Sequence, residues 1–255
     1  MDAAVATEAL KLRRSPVART AWPAVVLGAP ALSAGFIAVA RAGGDGQLAV
    51  KVAAMLPDMG WIGYLGMIGQ ISTVAMLLAG GIVTAWCFGR EFADGTVVGL
   101  FAIAVSRRRL AAAKFAVMLG WSLSACGATV LLGVAVGLLL GLGPLGSDAL
   151  GGVAMDLVAA MLMALLALPL AWVASARRGY LPAVGALLLV VIVTQLVTVV
   201  GAGAWFPYAA PGLWVGMGGA ESAAAVGPVQ LLLAIPLCAA GIWATTAWWA
   251  RAQLT

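Results

Sequence analysis

Six continuous apolar runs, at about 21–40, 62–88, 111–142, 153–175, 181–200 and 229–249, nearly exhaust a chain of 255 residues. A bilayer core takes about 20 mostly apolar residues per helix, so each run is long enough to cross one. The runs do not alternate as barrel strands do, and a helix satisfies its own backbone hydrogen bonds in lipid. Only 9% of the residues are charged, against about a quarter in soluble domains. The fold class is therefore read as an all-α integral membrane protein with six transmembrane helices and a single transmembrane domain over 1–255. The first run follows a basic start and contains a signal-peptidase-like "AVA" at Ala38 to Ala40. It exceeds the ~7 to 15 residues of a signal core, so it is read as a span.

Orientation follows from charge. With the N-terminus in the cytoplasm, all of the 14 lysines and arginines except Arg41 and Lys51 fall on the inner side, which places both termini inside by the positive-inside rule. Trp22, Trp86, Trp172, Trp248 and Trp249 then lie near inner ends and Trp61, Tyr64, Trp205 and Tyr208 near outer ends, as interfacial anchors do. The net charge of +5 is scattered over inner loops, where topology and anionic lipid account for it, and nucleic acid is not expected as a partner. Residues 1–19 place Ala9, Leu10 and Leu12 beside Lys11, Arg13 and Arg14. Two readings stand, an interfacial helix on the inner leaflet and a disordered basic tail. The Gly-, Pro- and aromatic-rich stretch at 201–228 reads as an outer cap or a segment that dips back into the membrane. Prolines 23, 30, 169 and 236 fall inside spans, where neighbouring helices compensate the lost bond.

Several chemistries are excluded. A phosphate-binding G-x-x-x-x-G-K-[ST] loop is absent, since Lys11, Lys51 and Lys114 precede Leu12, Val52 and Phe115; any ATP has to bind another chain. There is no histidine, and Cys87, Cys126 and Cys238 have no paired spacing, so no metal site, bound cofactor or intramembrane catalytic set is expected. Ionisable residues that would couple to an ion gradient are nearly missing from the spans; Asp156, about one turn inside the fourth run, reads as an interface-facing aspartate. Uncharged polar residues are better placed. Gln70 and Thr73 are three apart, and Thr194 and Thr198 four apart with Gln195 beside them, so two helices carry a polar stripe at mid-depth. Such a stripe lines a translocation path or packs helices together, and both readings stand.

The apolar pattern is interrupted by "GREFADGTVVGLFAIAVSRRR" at 89–109. Glu91 and Asp94 are three apart, Gly95 is suited to break the helix, and Thr96 to N-cap a new one. Val97, Val98, Leu100, Phe101, Ile103 and Val105 then form a short interfacial helix, with the charged turn projecting toward the cytosol. This segment resembles the permeases of ABC-type exporters of the ABC-2 kind, which include drug, antibiotic-resistance and lantibiotic-immunity transporters. Their second helix is followed by a pattern close to E-x-x-x-G-T, an apolar stretch, Pro-x-Ser-Arg and a later lysine. Glu91, Gly95, Thr96, Ser106, Arg107 and Lys114 fall on it, while Ala104 stands where the family usually has proline.

"EALKLRRS" at Glu8 to Ser15 is similar to the family's N-terminal elbow helix, and the six-span layout matches over the whole length. The resemblance implies a permease of a prokaryotic plasma membrane whose coupling element, Glu91, Phe92, Asp94, Gly95 and Thr96, docks on a separate P-loop ATPase. ATP and Mg would be bound by that partner, with two permeases and two ATPases per transporter. It also implies a path near the second and fifth helices, where Gln70, Thr73, Thr194, Gln195 and Thr198 lie. Replacing Glu91 by Ala is expected to reduce transport and leave expression intact. Few charges in the spans favour a drug-like or amphipathic peptide or lipid cargo. An ATP-independent secondary carrier or channel, and a non-transport scaffold or sensor, are the other classes.

Overall fold

A computed structural model describes residues 2–43, 46–47, 50–52, 56, 58–102 and 105–252. The described residues are all helical or in turns. Helix α1 (Asp2–Arg14) is separated by one residue from α2 (Pro16–Ala42), and α3 (Trp61–Ala93), α4 (Val97–Ala102) and α5 (Arg107–Leu139) follow. Then come α6 (Ser147–Ala167), α7 (Leu170–Ala176), α8 (Tyr180–Val199), a 3-10 turn (Gly203–Trp205), α9 (Ala210–Trp214), α10 (Ala220–Ala224), α11 (Pro228–Leu232) and α12 (Ala234–Arg251). Among the described residues six segments are long and apolar enough to cross a membrane: α2, α3, α5, α6 with α7, α8, and α11 with α12. Ile103 and Ala104, and with them part of the short helix expected after Thr96, lie outside the described residues.

Ser15 makes the corner between α1 and α2. Its hydroxyl donates to Leu12 O (2.8 Å) and accepts from Ala18 N (3.0 Å), and Pro16 occupies the first helical position, where its missing N–H costs nothing. Helix α3 is central, packing against α2, α5, α6, α7 and α8. Its glycines permit that approach. A Cβ on Gly89 would lie 2.4 Å from Tyr180 N, and one on Gly81 2.8 Å from Leu187. Small residues let membrane helices meet closely where apolar burial gives no net gain over lipid. Helix α8, by contrast, buries little of its length and turns Leu188, Leu189, Ile192 and Leu196 outward.

The prolines act locally. Pro169 has no N–H to give, and the chain breaks there into α6 and α7, bridged by short Leu168 N to Leu165 O and Ala171 N to Leu168 O bonds (both 3.0 Å). Helix α12 fits into this break, where a Cβ on Gly241 would lie 2.6 Å from Pro169 Cα. Pro236 falls in the first turn of α12 and cannot bond Leu232 O, which is where α11 ends.

Both ends of the described chain lie at one end of the bundle. Glu8 pairs with Lys114 there, and the Arg107 guanidinium donates to the Ala252 carbonyl. At the far end Arg41 Nη1 donates to Leu140 O (2.7 Å), meeting a carbonyl left free at a helix C-terminus. The 201–228 stretch folds inward at that far end. Ala210 and Leu213 of α9 are buried, and Val215 and Gly216 reach Gly69 and Gln70 of α3, about 14 Å below the first residue of that helix at 1.5 Å per residue.

Candidate functional site

Two places concentrate the polar side chains of this bundle. The first, at the termini end, is a cage of four charges from three helices. Lys11 Nζ donates to Glu8 Oε1 (2.7 Å) and Glu91 Oε1 (2.8 Å); Lys114 Nζ donates to Glu8 Oε2 (2.8 Å) and Cys87 O (3.0 Å). Lys114 Nζ also lies 3.1 Å from Glu91 Oε2, an ion pair off the hydrogen-bond axis. Two positive and two negative charges sum to zero. That balance is why Glu8, Glu91 and Lys114 are all buried, since a buried charge is tolerated only when paired. Aromatic rings surround the cage: Phe88 and Trp249 stand 6.0 and 5.9 Å from Lys114 Nζ and meet edge to face. At Glu8, on α1, burial raises the carboxyl pKa, but the charge on Lys114 and the bonds from Lys11 and Lys114 more than reverse this and hold it below its ordinary value. Burial lowers that of Lys11, and its bonds to Glu8 and Glu91 outweigh this and raise it.

The turn after α3 divides into a buried root and an exposed tip. Glu91 was expected on a charged surface facing the cytosol; its side chain instead points into the bundle, because position 91 shares the face of α3 that carries Cys87 and Phe88 toward α1 and α5. Phe92 is half-buried against Trp248 (5.6 Å) and Trp249 (5.9 Å). Asp94, Gly95 and Thr96 are exposed. Asp94 pairs with Arg90 at 3.1 Å, and Gly95 takes φ +69°, a conformation glycine adopts freely. The Thr96 hydroxyl does not cap α4: it donates back to Glu91 O at 3.4 Å. Of the other motif residues, Ser106 caps α5 by accepting from Arg109 N (3.4 Å).

The second place is a cavity of about 300 Å³ among α3, α6, α8 and the infolded segment, with Thr73, Thr194, Gln195, Thr198, Tyr208 and Met217 on its walls. Four of the five path residues expected from sequence thus line one cavity. Gln70 does not; its Nε2 lies 3.6 Å from where a Cβ on Gly216 would stand. The cavity is in the far half of the bundle, beneath α9, and not at mid-depth, because α8 ends at Val199 and Thr194 and Thr198 occupy its last turns. Thr73, Thr194 and Thr198 donate to Gln70 O (2.8 Å), Val190 O (2.7 Å) and Thr194 O (2.8 Å), so their oxygens face outward chiefly as acceptors. Burial pushes the Tyr208 phenol up to about 12, keeping it a neutral donor. Apolar walls with one amide, one phenol and a few acceptors suit an uncharged or amphipathic group.

A family model described as "ABC-2 family transporter protein" matches residues 4–198, from the first turn of α1 to the last turn of α8. The chain belongs to that family. It is therefore the membrane component of an ABC-2 transporter, a family whose members lack nucleotide-binding domains and bind no cofactor themselves, and its membership implies an ATPase partner. No curated protein and no solved structure matches the chain. Among the described residues of this ABC-2 permease no group of three or more His, Cys, Asp or Glu is placed to hold a metal.

Three features escaped the sequence reading. Glu8 and Lys11 were placed in the N-terminal elbow segment but given no partner, although in a chain with three lysines and nine acidic residues every charge near a span asks for one. Asp156 was read as interface-facing; it is buried, a Cβ on Gly69 would lie 2.3 Å from its Oδ1, and its Oδ2 has no hydrogen-bond partner. Helix α6 begins at Ser147, which sets Asp156 more than two turns inside. The third is a groove under α1, visible only once the helices are assembled.

Proposed function

We propose that this ABC-2 permease is the transmembrane subunit of an exporter in a prokaryotic plasma membrane, moving a drug-like, antibiotic or amphipathic peptide or lipid cargo. Both termini are cytoplasmic, α1 is the elbow helix, and α4 with the preceding turn is the coupling element. Two copies of a P-loop ATPase bind ATP and Mg and press on that element in a transporter built on two permeases. The observation that carries this reading is the exposed Asp94 to Thr96 tip standing on the buried cage. A load on the tip cannot be absorbed locally, because Glu91 fixes the end of α3 to α1 and α5. It passes up α3 to Thr73 on the cavity wall, 18 residues and about 27 Å away at 1.5 Å per residue. ATP can drive transport only by making different contacts in two states, and an exposed turn on a stiff root provides such a contact.

The cavity is read as part of the cargo path. The outward Leu188, Ile192 and Leu196 face of α8 is read as the surface that meets the second permease. The test is co-purification and ATPase activity. An approximately stoichiometric P-loop ATPase should copurify with the wild type, and Asp94→Arg, which leaves the cage intact, should uncouple or release it. A permease that purifies alone and shows gradient-driven flux would establish the carrier reading instead.

A further inference from the structure

Helices α1, α2 and α5 enclose an open groove of about 710 Å³ at the termini end of the bundle, within the roughly 300 to 1,000 Å³ that holds a drug-sized molecule. Its walls are apolar: Leu12 from α1, Trp22 and Pro23 from α2, and Val117 and Trp121 from α5 line it, with Arg13 and Arg19 the only charged residues lining it among the described residues. Both arginines are exposed, and no carboxylate pairs with either among the described residues. The nearest acid along α1, Glu8, is already engaged by two lysines. The two tryptophans differ. Trp22 Nε1 donates to Ser124 Oγ (3.1 Å), whereas Trp121, 9% exposed, has a buried Nε1 with no partner. A buried indole N–H normally finds an acceptor. The floor is left open by small residues: a Cβ on Gly120 would meet nothing within 4 Å.

We propose that this groove binds an anionic phospholipid of the leaflet at the termini end, the cytoplasmic one in the orientation given above. One acyl chain fills the apolar channel, the headgroup phosphate meets Arg13 and Arg19, and Trp121 Nε1 donates to an ester carbonyl. The occupant is a lipid because apolar walls and two cationic side chains occur together at the interfacial helix. There acyl chain and phosphate are offered by one molecule, and basic groups near the surface attract anionic lipid. Leu12 lines both this groove and the small cavity beside the cage, so a lipid seated here presses α1 onto the same packing that holds Glu8 to Lys114. The site does not depend on what the transporter carries.

The test is native mass spectrometry of the delipidated full chain offered phosphatidylglycerol and phosphatidylcholine of matched chains in equal amounts. Phosphatidylglycerol should be retained at least about fivefold over phosphatidylcholine. Arg13→Gln with Arg19→Gln should bring the two to parity, and Arg13→Lys with Arg19→Lys should keep the preference. Gly120→Trp, which grows into open space, should abolish retention of both, and glycerol 3-phosphate in excess should not compete. Parity in the wild type, unchanged retention in Gly120→Trp, or displacement by glycerol 3-phosphate would each overturn the proposal; the last would indicate a surface anion site. If the arginine variants cannot be purified, Gly120→Trp and the competition decide it.

Discussion

Lys114 is 1% exposed, and its ammonium is met by Glu8 Oε2, Glu91 Oε2 and Cys87 O. Removing one member strands the others. Lys114→Met should destabilise the permease by about 3–5 kcal/mol, the cost of leaving a buried charge unpaired, and Glu91→Ala should do the same; the expectation that Glu91→Ala leaves expression intact is thus revised. Combining Lys114→Met with Glu91→Gln should recover part of that loss, because the remaining Glu8 and Lys11 still balance; a double-mutant cycle on detergent melting curves checks it, and strict additivity would deny the cage. Acid should undo the cage from Glu8. Its carboxyl pKa lies below the ordinary 4.5 when α1 is docked, so the stabilisation is present above 4.5 and is lost as pH falls through the docked value. Lys11 lies above the ordinary 10.5, so its contribution is whole below 10.5 and fades only as pH rises past the docked value. Protection of the α1 amides, taken relative to their intrinsic exchange rate at each pH, should hold across neutral pH and fall only in acid, below the ordinary carboxylate range. The charges were legible one by one in the sequence, but their pairing was not. Glu91 and Lys11 are separated by 80 residues, and nothing local to either chooses the other.

Helices meet here through missing side chains. Gly89 passes so near the start of α8 that a Cβ would sit 2.4 Å from Tyr180 N and 2.6 Å from Gly179 C. Backbone cannot yield as a flexible side chain does, so Gly89→Ala should part α3 from α8 and lower the melting point markedly. Gly66→Ala, whose Cβ meets nothing within 4 Å, should be neutral on the same assay. Equal effects from the two would show that helix propensity and not close approach governs α3. The number of apolar runs was readable because length and hydropathy alone define a crossing, while the helix ends depart from the runs by up to six residues. The break at Pro169 was only half readable. Proline signals an interrupted helix, but the partner that occupies the interruption, Gly241 of α12, is a property of assembly.

At the scale of the bundle, the cavity and the cage lie toward opposite ends of α3, and the infolded 201–228 stretch closes the cavity from the far side. If the cavity carries cargo, Gln195→Ala and Thr198→Val should change which substrates stimulate the ATPase while leaving basal turnover in place; loss of folded protein across all substrates would point to helix packing instead. Polar residues on a shared helix face were visible from spacing, yet their depth was misjudged because the roof over them, α9, is a short helix no periodicity announces. One consequence concerns the ribosome. Glu8 finds Lys114 across 106 residues of chain, and at about 5 to 20 residues per second of synthesis roughly 5 to 20 seconds pass before that partner exists. During that interval Glu8 has only Lys11 of its own helix as a partner, and delivery of α5 into the bilayer is the event that locks α1 down. In the newborn chain α1 is therefore held only loosely until the third crossing is made.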